Sequence, residues 1–233
     1  MHHKYRAAIN HILPPLRIAT NEKFDASRTM EGDFFLLNGD SVKVPFMTSY
    51  KEQYIKTFDD FKVLRLPYKQ GEDKRQFSMY IFLPNVKDGL SNLVQKVCSR
   101  DGFVNNNLVH CEKVLVDDFR LPKFKISFGF EASEVLKNLG VELPFMGGGL
   151  MKVIDSYEAK YLYVSSIIQK SFIEINEEGT EAAAATAIQA SVQCLMIPKV
   201  VDFVAYHPFM FLIREGITGA VLFTGHIINP LSC

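Results

Sequence analysis

Glu177-Glu178-Gly179-Thr180-Glu181-Ala182-Ala183-Ala184-Ala185-Thr186-Ala187, followed by an irregular polar stretch as far as Pro198, carries more meaning than any other part of this chain. An alanine run ordinarily signals helix. Here every second residue from Thr180 is small or apolar: Thr180, Ala182, Ala184, Thr186, Ile188, Ala190 and Val192. Between them stand Glu181, Ala183, Ala185, Ala187, Gln189, Ser191 and Gln193, more polar at both ends. A period of two belongs to a strand with one buried face. A segment able to lie buried in a sheet, yet leading into an irregular polar stretch, can exist in two states.

The flanks of this stretch also read as strands. Tyr161 to Asn176 has the length of a central sheet strand, with Ile167, Ile168, Phe172, Ile173 and Ile175 along it. Beyond Pro198 come three apolar runs, Val200–Tyr206, Phe209–Ile213 and Ala220–Ile228, with the low charge of strands buried on both faces. Further out, Phe77–Pro84 is a strand closed by proline. Asp33–Leu37 and Ser41–Phe46 flank Asn38-Gly39-Asp40, which predicts a hairpin with a type I′ turn. Val114 to Phe130 alternates and breaks near Pro122. Leu90, Leu93, Val94 and Val97 have helical spacing. A second short helix is expected from Phe130 to Gly140, with Ala132, Val135, Leu136 and Leu139 inward and Gly140 as its stop. Only Met1 to Phe24 fits no clean period, with Pro14-Pro15 in its middle. The class is α+β with strands dominant, and no linker divides residues 1–233.

Bulk composition removes several functions. With 48% hydrophobic and 12% aromatic residues among 233, a sizeable core is affordable. Basic and acidic residues balance at 26 each, which argues against nucleic acid or an anionic membrane as partner. No apolar run reaches the length of about 18 residues needed for a spanning helix. The N-terminus lacks the apolar region of a secretory signal, so the cytosol is the expected compartment. Cys98, Cys111, Cys194 and Cys233 show no Cys-x-x-Cys spacing and read as free thiols.

Catalytic and cofactor chemistry finds little support. The six histidines form no metal-ligand spacing, and no Gly-x-Ser-x-Gly elbow is present. Gly147-Gly148-Gly149 leads into Leu150-Met151-Lys152, which makes a loop and not a phosphate cradle. Glu177-Glu178 reads as solvated charge at a strand end. Cys194 with His207 as its base lacks any positioning motif. Neither an enzyme nor a cofactor is expected.

Four stretches together resemble the serpin family, most closely its plant Z-type group. Ile173 to Thr186 resembles the family's hinge. Phe203-Val204-Ala205-Tyr206-His207-Pro208-Phe209 and Thr218-Gly219-Ala220-Val221-Leu222-Phe223-Thr224-Gly225 resemble its C-terminal signature. Ser78 to Pro84 and Leu121-Pro122-Lys123-Phe124 onward to Gly140 match in between, so the likeness runs from about Phe24 to Pro230. The resemblance implies a bait loop at about 177–198, attacked by a serine or cysteine protease. The cut loop then enters the main sheet as a new strand and distorts the acylated protease. Its hinge is Glu177, Glu178, Gly179, Thr180, Glu181, Ala182, Ala183, Ala184, Ala185 and Thr186. Counting from Gly179 puts the scissile bond at Gln193–Cys194, with the neighbouring bonds open. The alternating small face explains itself on this reading, because a buried unpaired charge would cost several kcal/mol. A new strand would add on the order of ten backbone hydrogen bonds at about 1 kcal/mol net each. That is comparable with the whole stability of a domain, about 5–15 kcal/mol.

Other features depart from the family pattern. The resemblance implies a large N-terminal part, with several helices and the first strands of the main sheet, that is expected to be missing here. Arg6 to Thr20, interrupted by Pro14-Pro15, is expected to fail as the second wall of the insertion slot, since proline cannot donate to a ladder. The family's tryptophan on that wall is absent, for the chain has none. Gln169 stands where the family has a histidine, and Tyr206 where it usually has Asp. These departures predict a serpin fold without its N-terminal helices, with an exposed reactive-centre loop and weak or no trapping. A working inhibitor and a non-inhibitory interaction module are the alternatives, and the family's members act both inside and outside cells.

Overall fold

The computed structural model describes residues 6–12, 16–17, 24–68, 75–99, 103–104, 108, 111–150, 160–177 and 200–232. Fourteen strands and two helices occur among them. In chain order the strands are β1 Arg6–Ile12, β2 Leu16–Arg17, β3 Met30–Phe35, β4 Ser41–Thr48, β5 Gln53–Thr57, β6 Phe61–Pro67 and β7 Phe77–Pro84. Helix α1, Leu90–Ser99, precedes β8 Glu112–Val114, β9 Phe119–Pro122 and β10 Phe124–Glu131. Helix α2, Ser133–Asn138, is followed by β11 Tyr163–Ile175, β12 Phe203–Val204, β13 Phe209–Glu215 and β14 Val221–Ile227. The chain folds into two compact units, one of residues 1–16 and 126–173, the other of residues 17–125 and 174–233.

The first unit is built on a sheet ordered β1-β11-β10, with β2 also paired to β11. β11 is central, as its length predicts. The strand β1 corrects the expectation that the start of the chain supplies no wall. Arg6 to Ile12 pairs in parallel along Tyr163 to Lys170. Strand β1 ends before Pro14-Pro15, which lie outside the described residues, so the proline objection does not reach it. The ladder carries one irregularity, where Ala7 faces Val164 but Ala8 faces Ser166, so that Ser165 is passed over. The start of α2 is fastened to β11 by two reciprocal bonds. Ala132 N–H donates to the Ile167 carbonyl at 2.8 Å, and Ile167 N–H donates to Ser133 Oγ at 2.9 Å.

Helix α2 stops at Gly140, whose φ of 87° is the left-handed conformation that its position requires. Its expected inward stripe is not buried, however. Val135 and Leu139 are exposed, Ala132 and Leu136 half-buried, and Ser133 is the buried residue of the helix.

The second unit holds two sheets, one ordered β12-β9-β4-β3 and one ordered β14-β13-β7-β6-β5-β8. β13 is buried along its whole length and β7 at every position after Phe77, because both faces of the six-stranded sheet are covered at its centre. Tyr80, Phe82, Met210 and Leu212 face the core that Leu90, Leu93 and Val97 of α1 help to form. On the other parity, Phe209 and Phe211 meet Phe124, with ring centroids 5.9 and 6.1 Å apart. β14 differs from its predicted burial. It is the outer strand, and Val221 and Leu222 are exposed.

The β3–β4 hairpin differs in turn type. Phe35 pairs with Ser41, and Leu36 N–H donates to the Asp40 carbonyl at 2.8 Å. Gly39 alone of the turn has positive φ, 91°, so Asn38 is not in the left-handed state that a type I′ turn demands. The three-residue turn Leu37-Asn38-Gly39 with a left-handed glycine takes its place.

Candidate functional site

The stretch that the sequence resemblance reads as a hinge begins at Glu177, just past the end of β11 at Ile175. Ile173 and Ile175 are buried, and the strand delivers Glu177 to a position where its side chain is only 9% exposed. Two neighbours meet its carboxylate. Thr29, which closes the 3-10 turn Ala26–Arg28, donates its Oγ1 to Oε1 at 2.5 Å. Lys123, at the joint between β9 and β10, places Nζ 2.7 Å from Oε2. Its backbone is fixed in turn, because Lys123 N–H donates to the Pro45 carbonyl at 2.9 Å.

Burial alone would raise the Glu177 pKa. The hydrogen bonds from Lys123 and Thr29 and the lysine charge outweigh it and hold the carboxyl below its ordinary value. Glu177 is therefore not the solvated charge that its place in the sequence suggests. It is a buried carboxylate tied to Thr29 and Lys123 just past the end of β11.

The remaining predicted site residues, Glu178, Gly179, Thr180, Glu181, Ala182, Ala183, Ala184, Ala185, Thr186, Gln193 and Cys194, lie outside the described residues. Sequence reasoning passed over Lys123 and Thr29 as partners. Lys123 lies in Leu121-Pro122-Lys123-Phe124-Lys125, where nothing in the sequence sets it apart from Lys125 as the partner of a distant carboxylate.

Strand β11 carries a second feature. A parallel neighbour runs along it, with Ile9 opposite Ile167 and His11 opposite Gln169 in the register. Gln169 thus keeps a strand position on the seam between β1 and β11.

The C-terminal signature has physical reasons of its own. Gly225 of β14 opposes Phe211 of β13, and a Cβ there would come within 2.7 Å of the Phe211 ring. His207 is buried, with Nδ1 3.3 Å from the Pro208 carbonyl. Burial, with the nearby Lys87 charge, outweighs the hydrogen bond to that carbonyl and sets its pKa below the usual value. Tyr206 packs edge-on to both Phe35 and His207, while Lys87 lies 3.3 Å above the Phe35 ring.

Residues 18–230 match the family model described as "Serpin (serine protease inhibitor)". The chain belongs to the serpin family. Among curated relatives of this serpin are Serpin-ZX of Hordeum vulgare, 57% identical over 212 residues, and Serpin-ZXA of Oryza sativa subsp. japonica, 56% identical over 214. Each alignment takes in 90% or 91% of this chain and 53% of the relative. The chain thus spans about half the length of the curated relatives it matches.

Among solved structures, Arabidopsis AtSerpin1 in its native stressed conformation superposes with a TM-score of 0.70 at 51% identity. That match covers 91% of this chain and 55% of the other. Uncleaved ovalbumin, at 23% identity and a TM-score of 0.66, shares the fold. The serpin is thus strand-dominated and of the plant Z-type group.

Among its described residues no helix is long and apolar enough to cross a membrane. No group of three or more His, Cys, Asp and Glu there could hold a metal ion. Cys98 is exposed and Cys111 buried, both free, and burial pushes the Cys111 thiol up to about 11.

Proposed function

We propose that this serpin is an inhibitor of serine-type endopeptidases that works by loop insertion. Its bait would be residues 177–198 and its cut bond Gln193–Cys194. The observation that carries the reading is the parallel ladder of Arg6–Ile12 with Tyr163–Lys170. A strand entering between β1 and β11 breaks one ladder and makes two, for a net gain of one. Over the seven residues of β1 that gain is on the order of five to seven hydrogen bonds at about 1 kcal/mol each. The side chains that would face the core from that strand, Thr180, Ala182, Ala184, Thr186, Ile188, Ala190 and Val192, bring no charge with them.

A second reading is a non-inhibitory bait that is simply cleaved. One observation favours it: β1 is the outer strand of its sheet among the described residues. Once a loop entered, its hold on the sheet in that described set would pass through the new strand alone. Gln169 in place of the family's histidine points the same way.

Incubation of the protein with trypsin-, chymotrypsin- and papain-like proteases separates the two. A covalent complex that survives SDS, together with a rise in melting temperature after loop cleavage, is the expected result. Cleavage near Gln193 with neither complex nor rise would overturn the inhibitory reading in favour of the second.

A further inference from the structure

A cavity beside the β12 strand brings charged, aromatic and apolar side chains together. Its volume is about 420 Å³, within the range of small-molecule pockets. Lys62 of β6 and Asp202, just before β12, both line it. Lys62 Nζ donates to the Asp202 carbonyl oxygen at 2.8 Å, which spends one of its three N–H groups. The Asp202 carboxylate is held in place by the Asp118 N–H, 3.2 Å from Oδ1. Asp118 is itself fixed by Arg120, with two contacts of 2.9 Å. Lys62 thus lines the cavity bonded to the backbone of a residue whose own carboxylate is held in place.

The rest of the lining is of a different kind. Leu83, the register partner of Lys62, and Val204 supply an apolar wall. His207 also lines the cavity, although only 2% of it is exposed. Its Nδ1 faces the Pro208 carbonyl at 3.3 Å, which keeps the proton there and leaves Nε2 an acceptor. At the neighbouring lining position, Tyr206 stands where the family pattern has an acid, so the lining keeps one cation and one anion.

We infer that this cavity binds a free amino acid with an apolar side chain, its carboxylate on Lys62, its ammonium on Asp202 and its side chain against Leu83 and Val204. An amino-acid zwitterion carries opposite charges one carbon apart, which suits a lining that holds one cation, Lys62, and one anion, Asp202. A simple anion would meet Asp202, and a simple cation would meet Lys62. The assignment is independent of whether the protein traps proteases.

Calorimetric titration of the full chain with L-leucine, L-phenylalanine, N-acetyl-leucine and leucinamide tests it. The two zwitterions should bind with Kd on the order of 1 mM, and the two charge-capped forms at least about tenfold more weakly. Asp202→Asn keeps an oxygen for the Asp118 N–H and should erase the preference for a free amine. Lys62→Met should erase the preference for a free carboxylate. Backbone amide shifts at Lys62 and Val204 should follow the same saturation curve. Equal affinity for all four compounds, no binding by a protein of unchanged melting temperature, or an amine preference that survives in Asp202→Asn would overturn the inference. Should Lys62→Met fail to fold, Asp202→Asn decides alone.

Discussion

Lys123 Nζ stands 2.7 Å from Glu177 Oε2, and Thr29 Oγ1 closes on the other oxygen of the same carboxylate. The contact ties the chain just past β11 to the joint between β9 and β10, so Glu177 is anchored by groups far away in sequence. One oxygen takes a charge and the other a hydroxyl, which leaves the buried carboxylate satisfied.

Glu177→Gln should destabilise the protein by about 1–2 kcal/mol, between the cost of an exposed pair and that of a fully buried one. The pH dependence has a definite sign. The folded pKa of Glu177 is depressed, so its contribution is complete above the ordinary carboxyl value of about 4.3. It is then lost as pH falls through the lower folded value. Urea unfolding at pH 7 and below pH 4 should show the wild-type advantage shrinking toward acid. A Lys123→Met/Glu177→Gln double-mutant cycle should return a coupling energy, and additive single effects would show that the pair is not a unit.

Glu215 makes a second pH-dependent contribution in the turn between β13 and β14. Its carboxylate accepts from the backbone N–H groups of Ile217 and Thr218 and from Thr218 Oγ1. These hydrogen bonds, with the Thr218 hydroxyl foremost, bring its pKa down to about 2. The stability it adds is full above the ordinary value and disappears between about pH 4 and pH 2. Glu215→Gln should therefore lower the melting temperature at pH 6 and make little difference near pH 2. An equal loss at both values would mean that charge is not what the turn uses.

How far the sequence reveals this structure depends on whether a residue's partner is near or far. β7 occupies Phe77–Pro84, where the apolar run and its closing proline put it. Leu90, Leu93 and Val97 are buried along one face of α1, as their spacing implies. Short-range pattern is enough in both. The apolar stripe of α2 follows the same spacing, yet Val135 and Leu139 are exposed, because periodicity states which residues share a face and not what covers it. Val221 and Leu222 are exposed for a related reason, since strand order alone makes β14 an outer strand. Glu177 reads as solvent-facing until folding brings Lys123 and Thr29 to it. β1 was hidden for want of an apolar period; its parallel register with β11 makes it a strand.

Gly225 explains part of the C-terminal signature, and a single methyl group tests the explanation. A Cβ at this position would stand 2.7 Å from Phe211 Cε1 and 2.8 Å from Cζ. The ring has little room to withdraw, because Phe211 is only 2% exposed and also packs on Phe124. Gly225→Ala should cost about 1–3 kcal/mol by overpacking. For a chain of this size the melting temperature should fall by about 2–4 °C per kcal/mol. A companion Phe211→Leu change should recover part of the loss, since it removes the atoms in the way. Full wild-type stability in Gly225→Ala would refute the clash.

Ser133 bears on how firmly β11 is held on the side away from β1. In a strand, the N–H and C=O of one residue point to the same edge, so Ile167 spends both on the start of α2. The neighbouring residues Ser166 and Ile168 offer theirs to the β1 edge. Loss of the β1 ladder would therefore leave the Ile167 bonds in place, and β11 would act as the fixed wall of the seam. Ser133→Ala removes the acceptor of the Ile167 N–H inside a site where Ser133 is 1% exposed. An unsatisfied buried donor costs about 1–3 kcal/mol. Hydrogen exchange localises the effect: the Ile167 amide should lose protection in the variant, while the amides of β13 in the other unit keep theirs. Uniform loss across both units would mean that Ser133 supports global stability only, and unchanged protection at Ile167 would show that its hydroxyl does not hold the strand.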